Sequence, residues 1–284
     1  MNFFKKHTRR LTQVVAAVLY NCNITGFADG TIYKGSLKNV CVPGLNCYSC
    51  PGAVGACPIG SLQSALVSSK YRFPYYILGL LILFGVLLGR FVCGFLCPFG
   101  LIQELLYKIP TPKIKKSRVT QILSLGKYVV LLILTVIFPI FLQIPGFCKY
   151  ICPAGTLEGG ILISAANSSV RDMLGDLFVW KAAVLAVILI AAVFCFRCFC
   201  RFLCPLGALY SLFNRFAFFR MVVDDSKCNG CGACKKYCKM DIGKVGDREC
   251  IQCGECKNVC RACAIHRTPE LKTKNREKAG SKGE

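Results

Sequence analysis

The sequence predicts an α-helical membrane protein: about four transmembrane helices arranged as an internal two-fold repeat, followed by a small α+β domain outside the membrane. Three observations predict it. First, 54% of the 284 residues are hydrophobic, yet only five acidic residues (Asp29, Glu104, Glu158, Asp172, Asp176) precede Asp224, from which point nine occur. Second, apolar runs of transmembrane length recur before that break. Third, the tetrapeptide Cys-Pro-x-Gly occurs four times, at Cys57, Cys97, Cys152 and Cys204. The shift in acidity divides the chain into a membrane part (1–222), a cysteine-rich soluble part (223–266) and a charged tail (267–284) that reads as disordered.

Four runs are the candidate spans. The run 11–28 has no charge between Asn21, Asn23 and Gly26 and its start, but these three make it the weakest. The run 73–89 is uncharged. The run 128–148 lies between Lys127 and Lys149, and 177–196 contains only Lys181. A spanning helix needs about 20 apolar residues, and lipid tolerates only closed backbone hydrogen bonding. Basic residues set the orientation. Lys5, Lys6, Arg9 and Arg10 precede the first run. Arg90, Lys108, Lys113, Lys115, Lys116 and Arg118 separate the second and third, and Arg197, Arg201, Arg215 and Arg220 follow the fourth. The other loops are poorer, with Lys34, Lys38, Lys70 and Arg72 in one and Lys149 and Arg171 in the other. Both termini are therefore expected in the cytoplasm. The net charge of +22 has the same origin. No nucleic-acid-binding motif accompanies it, so nucleic acid is excluded as a partner and membrane lipid is expected, with the tail lysines near anionic headgroups.

In this frame the four motifs alternate. Cys57 and Cys152 fall on the outer face, Cys97 and Cys204 on the inner face. Each half reads helix, outer motif, helix, inner motif. "RFVCGFLCPFGLIQELL" (90–106) and "RCFCRFLCPLGALYSLF" (197–213) align without a gap. The repeat predicts that the inner motifs meet across a pseudo-two-fold axis, and the outer ones likewise.

The cysteine spacing carries the chemistry. Cys228-x-x-Cys231-x-x-Cys234-x-x-x-Cys238 is followed by Cys250-x-x-Cys253-x-x-Cys256-x-x-x-Cys260. This is the bacterial two-cluster ferredoxin spacing, in which the fourth cysteine of each run ligates the other cluster. It assigns Cys228, Cys231, Cys234 and Cys260 to one [4Fe–4S] cluster, and Cys250, Cys253, Cys256 and Cys238 to a second. Gly230, Gly232 and Gly254 ease the tight turns. The proline usual after the fourth cysteine is replaced by Lys239 and Arg261. Zinc also binds paired Cys-x-x-Cys, but two complete runs argue for iron. Lys235, Lys236, Lys239 and Arg261 should raise the cluster potentials, and Cys263 is spare.

Thirteen cysteines remain. Cys93-x-x-x-Cys97-Pro and Cys200-x-x-x-Cys204-Pro each place two thiols about one helical turn apart. Proline suits a first helical turn, and a thiolate there gains from the helix dipole. Together Cys93, Cys97, Cys200 and Cys204 make an inner four-thiolate site. On the outer side Cys148 and Cys152 pair with Cys57 and one more. The repeat calls for a cysteine at position 53, but Ala53 stands there. Cys50 or, alternatively, Cys47 must supply it. Packed thiols for the inner four, and disulfides for the outer ones, are the competing readings. Cys195 and Cys198 are alternates near the inner site, and Cys22 and Cys41 structural thiols. His7 and His266 receive no role. Trp180 and Lys181 read as interfacial anchors, as do Arg90 and Arg197.

"CYSCPGAVGACPIG", "CGFLCPFGLIQE" and "CRFLCPLGAL", with the ferredoxin runs, resemble the NapH/NosR-type membrane polyferredoxins from Cys47 to Cys263. The resemblance implies electron transfer across or along the cytoplasmic membrane of a prokaryote. The donor would be a quinol or a cytoplasmic protein, and the acceptor an extracytoplasmic redox protein, often flavin-bearing. Two departures stand out: these residues hold no large extracytoplasmic flavin-binding domain, and they carry the extra outer cysteine set. A hydrocarbon core about 30 Å thick makes one electron hop slow. Recessed sites shorten it, and a quinone or flavin partner could fill the gap. A redox-sensing regulator is the alternative function, and cluster assembly or metal trafficking a third. No Ser–His–Asp set, P-loop or dinucleotide-binding turn is present, so an electron-transfer subunit is expected rather than a self-contained enzyme.

Overall fold

A computed structural model describes residues 3–68, 74–114 and 116–268. Lys70, Arg72, Lys115 and all but the first two residues of the expected tail lie outside the described residues.

The chain is mostly helical. Helix α1 (Phe3–Tyr20) ends where the asparagines begin. Asn21 turns its amide back to the Ala17 carbonyl and across to Asn46, and Asn23 donates to the Pro51 carbonyl. The polar residues that weakened the first run therefore break it, and a separate turn of helix follows at Ile24–Asp29. Helix α2 (Pro58–Ser68) starts on the first Cys-Pro-x-Gly. Helix α3 (Tyr75–Leu87) has 13 residues, or about 20 Å at 1.5 Å per residue. Short α4 (Phe91–Phe95) and α5 (Pro98–Leu106) follow. Helix α6 (Arg118–Leu142) has 25 residues and α8 (Asp176–Phe194) has 19. Among the described residues these two are long and apolar enough to cross a membrane. The run 128–148 is cut at Gln143, whose φ is +54°, so α7 (Gly146–Tyr150) stands apart. Beyond α8, α9 (Cys198–Phe202) and α10 (Pro205–Phe213) reproduce the α4–α5 pair.

Large apolar side chains face outward on both long helices: Leu132, Ile140 and Phe141 on α6, Val179, Val187 and Ile190 on α8. An exposed apolar belt of this kind is what lipid covers. The short helices pack inside it. α1 lies on α4 and α5, α5 on α8, and α3 on α10. Their breaks and caps leave irregular backbone buried in protein, the setting in which a membrane tolerates it.

The soluble part starts three residues earlier than its composition suggests. Strand β1 (Arg220–Val223) pairs antiparallel with β2 (Ile265–Thr268), in register Arg220 with Thr268 and Val223 with Ile265. Arg267 and Thr268 thus belong to the sheet rather than the tail. Between the strands lie one turn of helix, α11 (Ala233–Tyr237), and a 3-10 turn at Glu255–Val259. Gly232 and Gly254 precede them at φ +68° and +78°. A left-handed residue is needed at the same place in both Cys-x-x-Cys-x-x-Cys runs, and glycine adopts it without strain.

Candidate functional site: four cysteine nests

In the soluble part the cysteines sort as the interleaved spacing expects. Cys228, Cys231, Cys234 and Cys260 line one cavity of about 540 Å³. Cys238, Cys250, Cys253 and Cys256 line another, much tighter one, closed by Phe196, Met240 and Ile251. Cys238 has crossed from the first run into the second group. Glu255 draws Lys239 into an ion pair at 3.4 Å, which offsets part of the positive charge expected to raise the potentials.

Cys93, Cys97, Cys200 and Cys204 are all buried and form a central nest in which the charge of each bears on the others. Gln103 donates to the Cys200 sulfur at 3.2 Å and accepts from the Phe199 amide. Cys97 and Cys204 each take the N-cap position, with proline starting the helix behind them. The Gly207 N–H reaches the Cys204 sulfur at 3.3 Å, and the Gly155 N–H reaches that of Cys152 at the same distance. The Gly60 and Gly100 amides stabilise the thiolates of Cys57 and Cys97 in the same sense. This is side-chain N-capping with sulfur in place of oxygen.

The expected outer set forms a second nest. Cys47, Cys57, Cys148 and Cys152 line a cavity of about 690 Å³, with Cys41 at its wall. Here the structure departs from the preferred assignment: Cys47, not Cys50, is on the cavity. Cys50 is buried in the turn below, where the Gly52 and Ala53 amides stabilise its sulfur. The reason is local. The Glu158 carboxylate accepts the Cys47 N–H at 2.8 Å and holds position 47 against the helical turn Gly155–Ile161. A Cβ built on Gly155 would lie 3.6 Å from the Cys152 sulfur and 3.9 Å from that of Cys47. One built on Gly60 would lie 3.8 Å from the Cys148 sulfur. The glycines thus keep clear the space the sulfurs surround. Burial pushes the Glu158 carboxyl up to about 7, against the Cys47 amide. Burial, then Glu158, pushes the Cys47 thiol up to about 12. Thiols this reluctant to ionise become thiolates only where a metal's charge replaces the proton.

The two nests are neighbours, not sites on opposite faces. Segment 43–47 folds inward between them. The Leu45 N–H points at the Cys97 sulfur and the Asn46 N–H, one residue on, at that of Cys57. Tyr210 donates to the Pro43 carbonyl at 2.9 Å. Both nests and Cys250 belong to one continuous core. Opposite this strap, the tight soluble nest docks on the central one. Asn214 donates to the carbonyls of Asp247 and Cys250, and Arg90 pairs with Glu249. Gly94, beside Cys93, lies against the Ile251 carbonyl so closely that a Cβ there has no room.

Arg90 and Arg197, read from sequence as interface markers, are instead fully buried at the central nest. Arg90 donates to the Cys200 carbonyl at 3.3 Å, and Arg197 to that of Cys93. Each arginine stands three residues before a nest cysteine, in both copies of the repeat. That repetition was the signal available. Glu104 accepts from Arg197 and from Arg9 of α1. Burial raises its carboxyl, but Arg197 and Arg9 together outweigh this and hold it below the usual range. Cys195 turns from the nest toward Arg201 and Cys198 toward the Ile188 carbonyl. Among the described residues, no three His, Cys, Asp or Glu side chains converge closely enough for a single metal ion. Thiols set around a space rather than on a point suit a polynuclear cluster and not zinc.

Comparison with known proteins agrees with this chemistry. A family described as "4Fe-4S binding domain" matches residues 72–117, 128–162 and 177–222. The three stretches contain Cys93 and Cys97, Cys148 and Cys152, and Cys200 and Cys204. An uncharacterized protein of Methanocaldococcus jannaschii is 32% identical over 66% of this chain and 74% of its own length. The regulatory protein NosR of Stutzerimonas stutzeri is 31% identical over 55% of the chain but only 21% of NosR. The methylamine utilization ferredoxin-type protein MauN of Paracoccus denitrificans is 29% identical, over 62% of this chain and 58% of MauN. No solved structure matches.

Proposed function

The chain belongs to the 4Fe-4S binding family that includes NosR and MauN, and on that footing we propose that it is a membrane-bound iron–sulfur electron-transfer protein. It would pass electrons between a cytoplasmic or quinol donor and an extracytoplasmic redox partner, possibly flavin-bearing in the sense that such a partner is the class the resemblance implies. A bound [4Fe–4S] cluster is a one-electron carrier whose potential follows charge, hydrogen bonding and exposure. In this reading Cys228, Cys231, Cys234 and Cys260 hold the most exposed cluster, and Cys238, Cys250, Cys253 and Cys256 the next. Cys93, Cys97, Cys200 and Cys204 hold a third, and Cys47, Cys57, Cys148 and Cys152 a fourth.

One observation carries the proposal. The four nests lie in sequence through the fold, each adjoining pair joined by protein rather than by open space. Gly94 and Arg90 grip residues 249–251 at the first junction, and the 43–47 strap forms the second. The matching arms 90–106 and 197–213, whose arginines bond reciprocally to Cys200 and Cys93, support the two-fold repeat. With four spans, both termini in the cytoplasm and α3 extended by flanking residues, the cavity nest faces the outer leaflet. A redox-sensing regulator is the second reading, favoured by the name of NosR. Such a protein alters a partner without net electron flow.

The test is iron and acid-labile sulfide per chain after anaerobic purification in detergent. Four clusters predict about 16 iron atoms, and two soluble clusters alone about 8. A count of about 16 that falls by about 4 in Cys57→Ala/Cys152→Ala supports the proposal. A count of about 8 reduces the protein to a membrane-anchored ferredoxin or sensor.

A further inference from the structure

The buried charges around the central nest do not cancel. Arg90, Lys127 and Arg197 are fully buried, and Arg9 is nearly so. Two carboxylates face these four cations. Glu249 pairs with Arg90 at 2.7 Å and also with Lys127. Glu104 pairs with Arg197 at 2.6 Å and with Arg9 at 2.6 Å. Glu255 reaches Arg9 at 3.3 Å but is itself shared with Lys239 at the exposed rim. The inner group is left with more positive than negative charge. Buried charge in excess is costly unless something nearby balances it.

The missing negative charge is at the cysteines. Four thiolates on a cubane iron–sulfur core leave about two net negative charges, and that charge is a principal determinant of potential. Both arginines are aimed there. Each donates to the carbonyl of a nest cysteine on the opposite arm of the repeat, Arg90 to Cys200 and Arg197 to Cys93. Neither guanidinium reaches solvent, so water screens little of its field.

We propose that Arg90 and Arg197 are the built-in counter-charges of the central nest, and that Glu104 and Glu249 set how much of their charge it feels. The inference rests on the reading that this nest holds a cluster. Taking up one electron adds one negative charge to the nest. The arginines stabilise that reduced form, and the carboxylates oppose it. The central nest therefore works at a higher potential than four buried thiolates alone would impose. The same ion pairs fix the soluble domain, because Glu249 precedes Cys250. Tuning and docking are thus joined in one set of side chains, and Arg90 and Arg197 act as positioning residues rather than ligands.

The experiment is a potentiometric titration of the anaerobic full-length protein followed by electron paramagnetic resonance. The central signal is assigned by its loss in Cys97→Ser/Cys204→Ser. Arg197→Gln should lower its midpoint potential while the soluble signals stay in place, and Arg197→Lys should restore most of the shift. Glu104→Gln should move it upward. These opposite signs separate charge from general loosening, and Glu104→Gln keeps the test alive if Arg197→Gln does not fold. A central signal that stays within error in Glu104→Gln and in Arg197→Lys or Arg197→Gln alike overturns the inference while leaving the cluster reading intact. A wild-type protein with no signal lost in Cys97→Ser/Cys204→Ser removes the cluster reading, and the inference with it.

Discussion

Gly44→Ala tests the strap that joins the central and cavity nests. A Cβ at position 44 would stand 2.8 Å from the Leu96 carbonyl oxygen and 3.3 Å from the Cys97 Cα. Both are backbone atoms, so no side-chain rotation relieves the contact. Ordinary van der Waals separation begins near 3.4 Å, which requires the strap to retreat by about 0.6 Å or the α4–α5 turn to give way; overpacking of this kind costs about 1–3 kcal/mol. If the Leu45 N–H leaves the Cys97 sulfur, a further ~0.5–1.5 kcal/mol is lost. Two readouts follow. The melting temperature of the anaerobic protein should fall. The resonance spectrum of the fully reduced protein should show weaker spin–spin broadening between the nests, because that coupling falls steeply with separation. Gly175→Ala is the control, since a Cβ there meets nothing within 4 Å. If Gly44→Ala matches wild type in both melting and line shape, the strap is not the close junction described here.

Three other outcomes are expected. Cys47→Ser should lose about 4 iron atoms per chain and Cys50→Ser should lose none, as measured by iron and sulfide analysis; the reverse result would restore Cys50 as the ligand. Gly94→Ala should loosen the soluble domain, because its Cβ collides with the Ile251 carbonyl; hydrogen exchange at 249–252 should rise with the iron content unchanged. Glu104 has a depressed carboxyl pKa, so its clamp on Arg9 and Arg197 contributes fully above the ordinary glutamate value of about 4.3 and is lost as pH falls through the lower folded value. Hydrogen exchange in α1 should therefore stay flat from neutral pH to about 5 and rise only in more acidic solution, and early release near pH 6 would contradict the clamp.

The soluble nests were legible in full, because the ligands of a ferredoxin cluster come from one short loop plus one distant cysteine. Spacing alone fixes which sulfurs can meet. The central nest was legible because its two arms are copies. Cys47 was not. Choosing between it and Cys50 turns on Glu158, more than a hundred residues away, accepting one backbone N–H. The opposite-face placement of the two sites failed for a related reason. Hydropathy locates helices, but it gives no sign that 43–47 folds inward, since that segment is held by backbone amides and by the Tyr210 hydroxyl. The first run failed more simply: Asn21 and Asn23 have partners beyond their own helix, and a window average cannot register where a side chain finds its partner.

The recurrence of Cys-Pro-x-Gly can then be argued position by position. The cysteine must leave the preceding turn and present its sulfur forward, which is what an N-cap residue does. Proline follows because the first helical N–H needs no partner and its fixed φ starts the helix. Three positions on, the backbone N–H points back at the sulfur, as Gly155 and Gly207 show at 3.3 Å. That position also faces the space the sulfurs enclose. At Gly155 and Gly60 an added methyl would stand among sulfurs of the cavity nest, and at Gly100 it would press within 3.3 Å of the Arg197 guanidinium. A larger residue there would keep the helix, the proline and the cysteine. It would fill the room beside the thiols, or push aside the arginine that balances their charge. The fourth residue is therefore constrained by what the sulfurs hold rather than by the turn itself, since none of these four glycines has a positive φ.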